Sequence, residues 1–353
     1  MRFPFPHTGR PAHTTRPGRA LPRRSLRRAA VLLAVLGALL PAAAGAAPSA
    51  LAGHPAHPRA AAPASEADGG DGADWKRAFL ASVDHPDAPP PGADDPGCRP
   101  DARHPRPVVL LHGTYENASS NWSHLSPRLK ADGYCVFAAN VGAPPGDVLK
   151  GRAAVPLSAR ELARFVDRVL ERTGARQIDL VGHSQGGGIL PRQYLKFAGG
   201  TDPADPARNK VHHLIGIAPA NHGSTVSGLA TLAQRLHVLA PAAAIGGQSL
   251  ADQTIGSAVN LRLDAGGDTL PGVRYTTVVT RRDLMVTPYE RQYLHPAQPT
   301  HPVTNLTLQD ICPQNRTGHM GTPYDPLVVR LVRNALDPST ARPPECAPTT
   351  GSD

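Results

Sequence analysis

Glycine stands two residues to either side of one serine, in Gly182-His183-Ser184-Gln185-Gly186, and the apolar run QIDLVG (177–182) leads straight into it. A strand that turns abruptly into a helix folds its own backbone onto the turn. Side chains two residues either side of the apex would clash, so glycine is required there. The turn lifts the Ser184 hydroxyl clear and sets it at a helix N-terminus. The next amide, that of Gln185, then points at negative charge developing beside the hydroxyl. A buried strand, a tight turn and a helix in that order restrict the chain to a sheet with helices packed against it.

The rest of the sequence repeats this rhythm. PVVLLHG (107–113), CVFAANV (135–141), VHHLIGIAP (211–219) and VRYTTVVT (273–280) are continuous apolar runs suited to strands buried on both faces, and 302–308 is a weaker one. Helices are expected over 121–131, from about Gly187 to Phe197, and over 325–336. The clearest carries Leu162, Phe165, Val166, Val169 and Leu170 on one stripe; Ser158 and Glu161 read as its capping box and Gly174 as its end. The alternation predicts a mostly parallel central sheet with helices on both faces. Residues 220–270 break the rhythm with apolar, small-residue helical patches. They read either as a lid or substrate-binding wall over the carboxyl ends of the strands, or as an ordinary pair of packing helices.

A serine hydroxyl is a weak nucleophile and needs a base oriented by an acid. In a sheet of this kind the chain order is serine, acid, histidine. Asp283 follows the 273–280 strand and is the expected acid; Asp264 and Asp268 precede that strand, and Glu290 is a second choice. His319, in Arg316-Thr317-Gly318-His319-Met320-Gly321, lies beyond the last strand and before the last helix, unlike His295 and His301. The amides of Gln185 and of Thr114, in the loop after the first strand, are expected to form the oxyanion hole. His112 and His183 read as scaffold. The expected site is therefore Ser184, Asp283 and His319 with Thr114 and Gln185. No metal or cofactor is expected, since no Cys-x-x-Cys or His/Cys pair has metal-ligand spacing.

The net charge of +9 and pI of about 9.8 invite a nucleic-acid partner, but the charge is local. The first sixty residues hold nine arginines and no acid; taking nine from the 37 basic residues leaves 28, equal to the 28 acids. The remainder is near neutral, which removes the basis for that partner. Residues 29–40, AAVLLAVLGALL, follow paired arginines and precede small residues. This is a secretory signal peptide pattern, too short to span a bilayer comfortably, and compatible with general or twin-arginine export. The expected organisation is a signal peptide over 1–47, a Pro/Ala/Gly-rich linker or pro-segment over 48–73, and a catalytic domain over 74–353. In an exported chain the four cysteines suggest disulfides. Of three pairings, Cys98–Cys135 and Cys312–Cys346 are preferred because each closes a modest loop near one end of the domain. Asn-x-Ser/Thr sequons stand at Asn117, Asn121, Asn305 and Asn315.

PVVLLHGT (107–114), GYCVFAANVG (133–142), ELARFVDRVLERTGA (161–175), DLVGHSQGG (179–187), YLKFAGG (194–200), LIGIAPANHGST (214–225), TRRDLMVTPYE (280–290), His319-Met320 and NALDP (334–338) together resemble the secreted class 2 bacterial lipases. The resemblance runs from about His104 to Pro338. It implies an α/β-hydrolase fold and a secreted, extracellular triacylglycerol lipase or esterase acting through an acyl-enzyme on Ser184. The family's motif positions fall on Ser184, Asp283 and His319. It implies a lipid or small ester substrate, met in some cases at a lipid–water interface, no required metal, and a cysteine placement like that of members with two disulfides. The long Pro-rich lead and LPRQYLKF after the serine depart from the family pattern. A short-chain esterase or acyltransferase with the same triad is an alternative reading, as is a non-catalytic lipid-binding protein on the same scaffold.

Overall fold

In the structure, a computed structural model, residues 72–349 are described; the expected signal peptide and nearly all of the linker lie outside the described residues. Six strands pair in one parallel sheet: β1 Val108–Leu111, β2 Val136–Ala139, β3 Ile178–His183, β4 Val211–Ile217, β5 Arg274–Val279 and β6 Val303–Thr307, in the order β2-β1-β3-β4-β5-β6. All the expected strands form; most are trimmed at their ends, while β3 starts one residue later than expected and runs one further, to His183. Alternation along β1 divides the core. Val109 and Leu111 pack with the helices Val155–Thr173 and Ile189–Phe197, while Val108 and Leu110 pack with Ala118–Trp122, Leu125–Ala131 and Pro326–Leu336. Helices thus cover both faces, and β1, buried throughout, has no polar side.

Two helices differ from expectation for tertiary reasons. The 155–173 helix starts a turn before Ser158, with Pro156 in its first turn. Ser158 is buried inside it, and Glu161 accepts the Gly142 amide at 2.7 Å. Its first amide, that of Val155, is capped by Asp252 Oδ2 at 2.8 Å, nearly a hundred residues away. The expected 121–131 helix is two helices. The Ser120 carbonyl, which a continuing helix would offer to the His124 amide, accepts the Tyr324 hydroxyl.

The 220–270 region forms four short helices between β4 and β5: Leu229–Arg235, Leu239–Gly246, Ser249–Asp252 and Ala258–Asp264. Its second half is pinned to the 155–173 helix by Asp252 on Val155, and to the loop after β1 by Tyr115 Oη on the Gly246 carbonyl (2.8 Å) and by Gln253 Nε2 on Thr114 Oγ1 (2.9 Å). Its first half leaves Leu232, Leu236 and Ile245 exposed. Among the described residues no helix is long and apolar enough to cross a membrane. Asn117, Asn121 and Asn315 are buried, which closes their sequons to a glycan.

Both disulfides form in the preferred pairing, Cys98–Cys135 and Cys312–Cys346, with Cα–Cα separations of 5.6 and 5.1 Å. Each closes a loop of more than thirty residues, and crosslinks of that kind stabilise by about 2–4 kcal/mol. Replacing Cys98 and Cys135 together by serine is expected to lower unfolding stability by about that amount. Urea titration checks this; an unmoved midpoint would contradict it.

Candidate active site

The sheet order places a crevice where the chain needs one. β1 leads outward to β2 and β3 leads the other way to β4, so the loops after β1 and β3 diverge at their carboxyl ends. Ser184 directly follows β3 and opens a 3₁₀ turn, Ser184–Gly187. Its φ is 56°, the left-handed region that a side chain enters only at a cost. The backbone crossing there leaves no room for side chains. A Cβ on Gly182 would lie 1.8 Å from the Gly186 carbonyl oxygen, and one on Gly186 would lie 2.4 Å from the carbonyl oxygens of both Leu111 and His112. The Ala220 amide donates to the Ser184 carbonyl at 3.0 Å, tying the turn to the segment after β4.

The loop after β1 reaches the same place. A Cβ on Gly113 would lie 3.1 Å from Ser184 Cβ, and one on Gly151 would lie 2.9 Å from Gln185 Oε1 and 3.2 Å from Thr114 Cα. Thr114 and Gln185 therefore converge beside Ser184. Gln185 is second in its 3₁₀ turn, where an amide has no carbonyl partner within the turn. His112 braces the loop: Nδ1 donates to the Gly113 carbonyl at 2.8 Å, and Nε2 accepts the Val141 amide at 3.2 Å. Burial pushes its pKa down to about 4, which keeps Nε2 unprotonated as that second bond requires.

Asp283 and His319 come from separate loops and meet in the interior. Asp283 Oδ2 lies 2.8 Å from His319 Nδ1, and both side chains are almost wholly buried. Asp283 also accepts the amides of Met285 (2.8 Å) and Val286 (2.7 Å) at Oδ1 and the Gln292 side chain (2.9 Å) at Oδ2. Four donors suit an acceptor-only carboxylate. They leave the His319 Nδ1 proton facing Asp283 and Nε2 as the basic nitrogen. The His319 ring sits 4.8 Å from that of His183, the residue preceding Ser184, and the His319 carbonyl is 3.1 Å from His183 Nε2. The five expected site residues thus gather at the carboxyl ends of β1, β3 and β5. The other candidates lie elsewhere: His301 binds Thr269 Oγ1, and Asp264 and Asp268 belong to a separate network.

Sequence reasoning missed Glu116, whose carboxylate is 2.9 Å from His183 Nδ1, and Gln292; neither lies in a motif. It also missed a charge network that ties the 220–270 region to the buried Arg192. Arg192 pairs with Asp264 (3.3 Å) and Asp268 (3.0 Å), and His222 bridges the same two carboxylates at 2.9 and 3.3 Å. Among the described residues His222, Asp264 and Asp268 form the group whose donor atoms are close enough to ligate a metal, all within 4.8 Å. The Arg192 guanidinium already supplies the positive charge there. Burial opposes the charge on His222, but its hydrogen bonds to Asp264 and Asp268 outweigh that and hold its pKa above the ordinary value. Burial likewise opposes ionisation of Asp264 and Asp268, yet His222 and Arg192 hold both below the carboxylate range. The His222 contribution is full below a pH of about 6.5 and is lost as pH rises through its raised pKa. The aspartate contributions are full above about 4 and are lost as pH falls through their lowered values. His222→Asn is therefore expected to depress Tm most at about pH 5–6 and least near pH 9. Thermal melts across pH check this, and a pH-independent loss contradicts it.

Residues 105–237 match the family described as lipase (class 2). Triacylglycerol lipases of Pseudarthrobacter phenanthrenivorans and Burkholderia plantarii are each 34% identical over 87 residues, covering 23% of this chain and 25% and 23% of theirs. The chain thus matches about a quarter of the length of these relatives. Among solved structures, Aspergillus fumigatus lipase B is similar with a TM-score of 0.52 at 20% identity, over 72% of this chain and 61% of that one. The likeness is one of fold, and the fold is that of the α/β-hydrolases.

Proposed function

We propose that this chain, whose residues 105–237 match the class 2 lipase family, is a secreted serine carboxylic-ester hydrolase that cleaves triacylglycerols or similar lipid esters. The observation that carries the reading is the His319–Asp283 pair delivered to the turn that presents Ser184. The two disulfides and the N-terminal sequence pattern support export.

In this reading Ser184 Oγ attacks the ester carbonyl while His319 Nε2 takes its proton. Asp283 holds Nδ1 and stabilises the imidazolium. The carbonyl oxygen becomes an oxyanion and is met by the amides of Gln185 and Thr114, fixed in place before the reaction begins. His319 returns the proton to the leaving alkoxide as the carbon–oxygen bond breaks, leaving an acyl group on Ser184. A water, deprotonated by His319, then attacks the acyl carbon and releases the fatty acid and the serine hydroxyl.

An organophosphonate is expected to label the wild type at one site per chain and to leave Ser184→Ala unlabelled. Ser184→Ala is also expected to lower kcat on a soluble ester by about 10⁴-fold or more, with Asp283→Asn of similar order. Labelling that survives Ser184→Ala would place the nucleophile elsewhere; a wild type neither labelled nor active on any ester would favour a non-catalytic lipid-binding protein. An emulsified long-chain triacylglycerol set against tributyrin and p-nitrophenyl acetate separates lipase from short-chain esterase. A competing alcohol reports acyl transfer in the products.

A further inference from the structure

His183 is fully buried, and both of its ring nitrogens face oxygen acceptors. Nδ1 is 2.9 Å from Glu116 Oε2, and Nε2 is 3.1 Å from the His319 carbonyl oxygen. A neutral imidazole has one N–H and can satisfy only one of two acceptors. The arrangement needs one more proton, shared between Glu116 Oε2 and His183 Nδ1. Wherever that proton sits on the short bond, His183 Nε2 keeps its hydrogen for His319. Without it, the single N–H would go to the carboxylate, and the Nε2 lone pair would face the His319 carbonyl.

The surroundings fix the carboxylate in place. The Trp75 indole donates to Glu116 Oε1 at 3.0 Å, so the carboxylate is gripped at both oxygens by different elements. Gly113 leaves the carboxylate its place: a Cβ there would lie 2.6 Å from Glu116 Oε2. The other titratable groups around the pair are His112, Lys150, Tyr324, Asp283 and His319, whose ring lies 4.8 Å from that of His183. His112 is neutral, Lys150 is ion-paired with Asp87 at 2.6 Å, Tyr324 is an unionised phenol near Glu116, and Asp283 is turned to His319. The Glu116 carboxyl, although burial opposes its charge, is held below the ordinary range by the charge of His183.

We propose that Glu116 is a positioning residue for His319: through the proton it shares with His183 it makes Nε2 a donor to the His319 carbonyl, with Trp75 fixing the carboxylate. This rests on the reading of His319 as the general base. The imidazole of residue 319 is then held at two points, its ring by Asp283 and its peptide by His183, the peptide bond reinforced by Thr322 Oγ1 at 2.7 Å. The helix Gly72–Ser82, which carries Trp75, is part of this support although it lies far from Ser184 in sequence.

The test compares Glu116→Gln with Glu116→Ala in the full chain, with kcat on p-nitrophenyl butyrate normalised to organophosphonate-titrated sites. A glutamine amide can donate to Nδ1 and still accept from Trp75, so it keeps the Nε2–H tautomer. Glu116→Gln is expected to stay within about threefold of wild-type kcat, while Glu116→Ala falls about 10–100-fold with KM within twofold. A residue that only stabilised the fold would lower Tm and the titrated fraction but leave kcat per active site unchanged. Wild-type kcat in Glu116→Ala, or a Gln variant as impaired as the Ala variant, overturns the proposal. Ring-nitrogen ¹⁵N NMR supplies a readout independent of hydrolysis. In a Ser184→Ala background His183 Nε2 is expected to be protonated at pH 7, with Glu116 and with Gln at 116 alike. An unprotonated Nε2 overturns the positioning role even if the enzyme is active. A protonated Nε2 with no ester cleavage by the wild type overturns the hydrolase reading instead.

Discussion

The close crossing of backbone around Ser184 is the constraint on which the rest of the site depends. Ser184 occupies a left-handed conformation that disfavours any side chain, and its neighbours at 182 and 186 meet carbonyl oxygens at distances no Cβ tolerates. Strain of this kind, roughly 1–3 kcal/mol, persists only where the surroundings over-determine it. Here β1 presses from one side through the Leu111 and His112 carbonyls, and the segment after β4 holds the Ser184 carbonyl from the other. The sheet core supplies the rigidity, because β1 and β3 are buried on both faces and have no room to yield.

Around that fixed point the molecule arranges acceptors and donors in depth. Asp283 is surrounded by donors and so orients His319; His183 is flanked by acceptors and reaches the same residue from behind. The two histidines therefore play opposite electrostatic parts within 4.8 Å of each other. His319 meets a carboxylate already supplied with donors while His183 lies between two oxygen acceptors, and the difference lies in what faces each ring rather than in the rings themselves.

A second polar centre joins the 220–270 region to the helix after Ser184. Arg192, buried on the helix that follows Ser184, gathers Asp264 and Asp268, and with His222 it joins the post-β4 loop and the end of the Ala258–Asp264 helix to that helix. A buried guanidinium with two carboxylates is costly unless each partner is present, so this centre ties the order of one segment to the others. The region itself is unevenly held. Its later helices are anchored to Val155, Thr114 and Tyr115, while the 229–245 portion shows apolar side chains to the outside.

Sequence alone determined the order of the six strands and the turn at Ser184, because apolar periodicity and glycine placement act over a few residues and are written locally. It also led to the two disulfide pairs, through loop length. Tertiary structure decided what depends on contacts between distant segments. Asp252 rather than Ser158 caps the 155–173 helix, and Tyr324 helps divide the 118–131 stretch in two. Asn117, Asn121 and Asn315 lie inside, and Glu116, Gln292 and Arg192 acquire their partners only on folding. A lone carboxylate or amide in a loop has no periodic signature; its meaning is set by whichever donor or acceptor the fold brings to within about 3 Å.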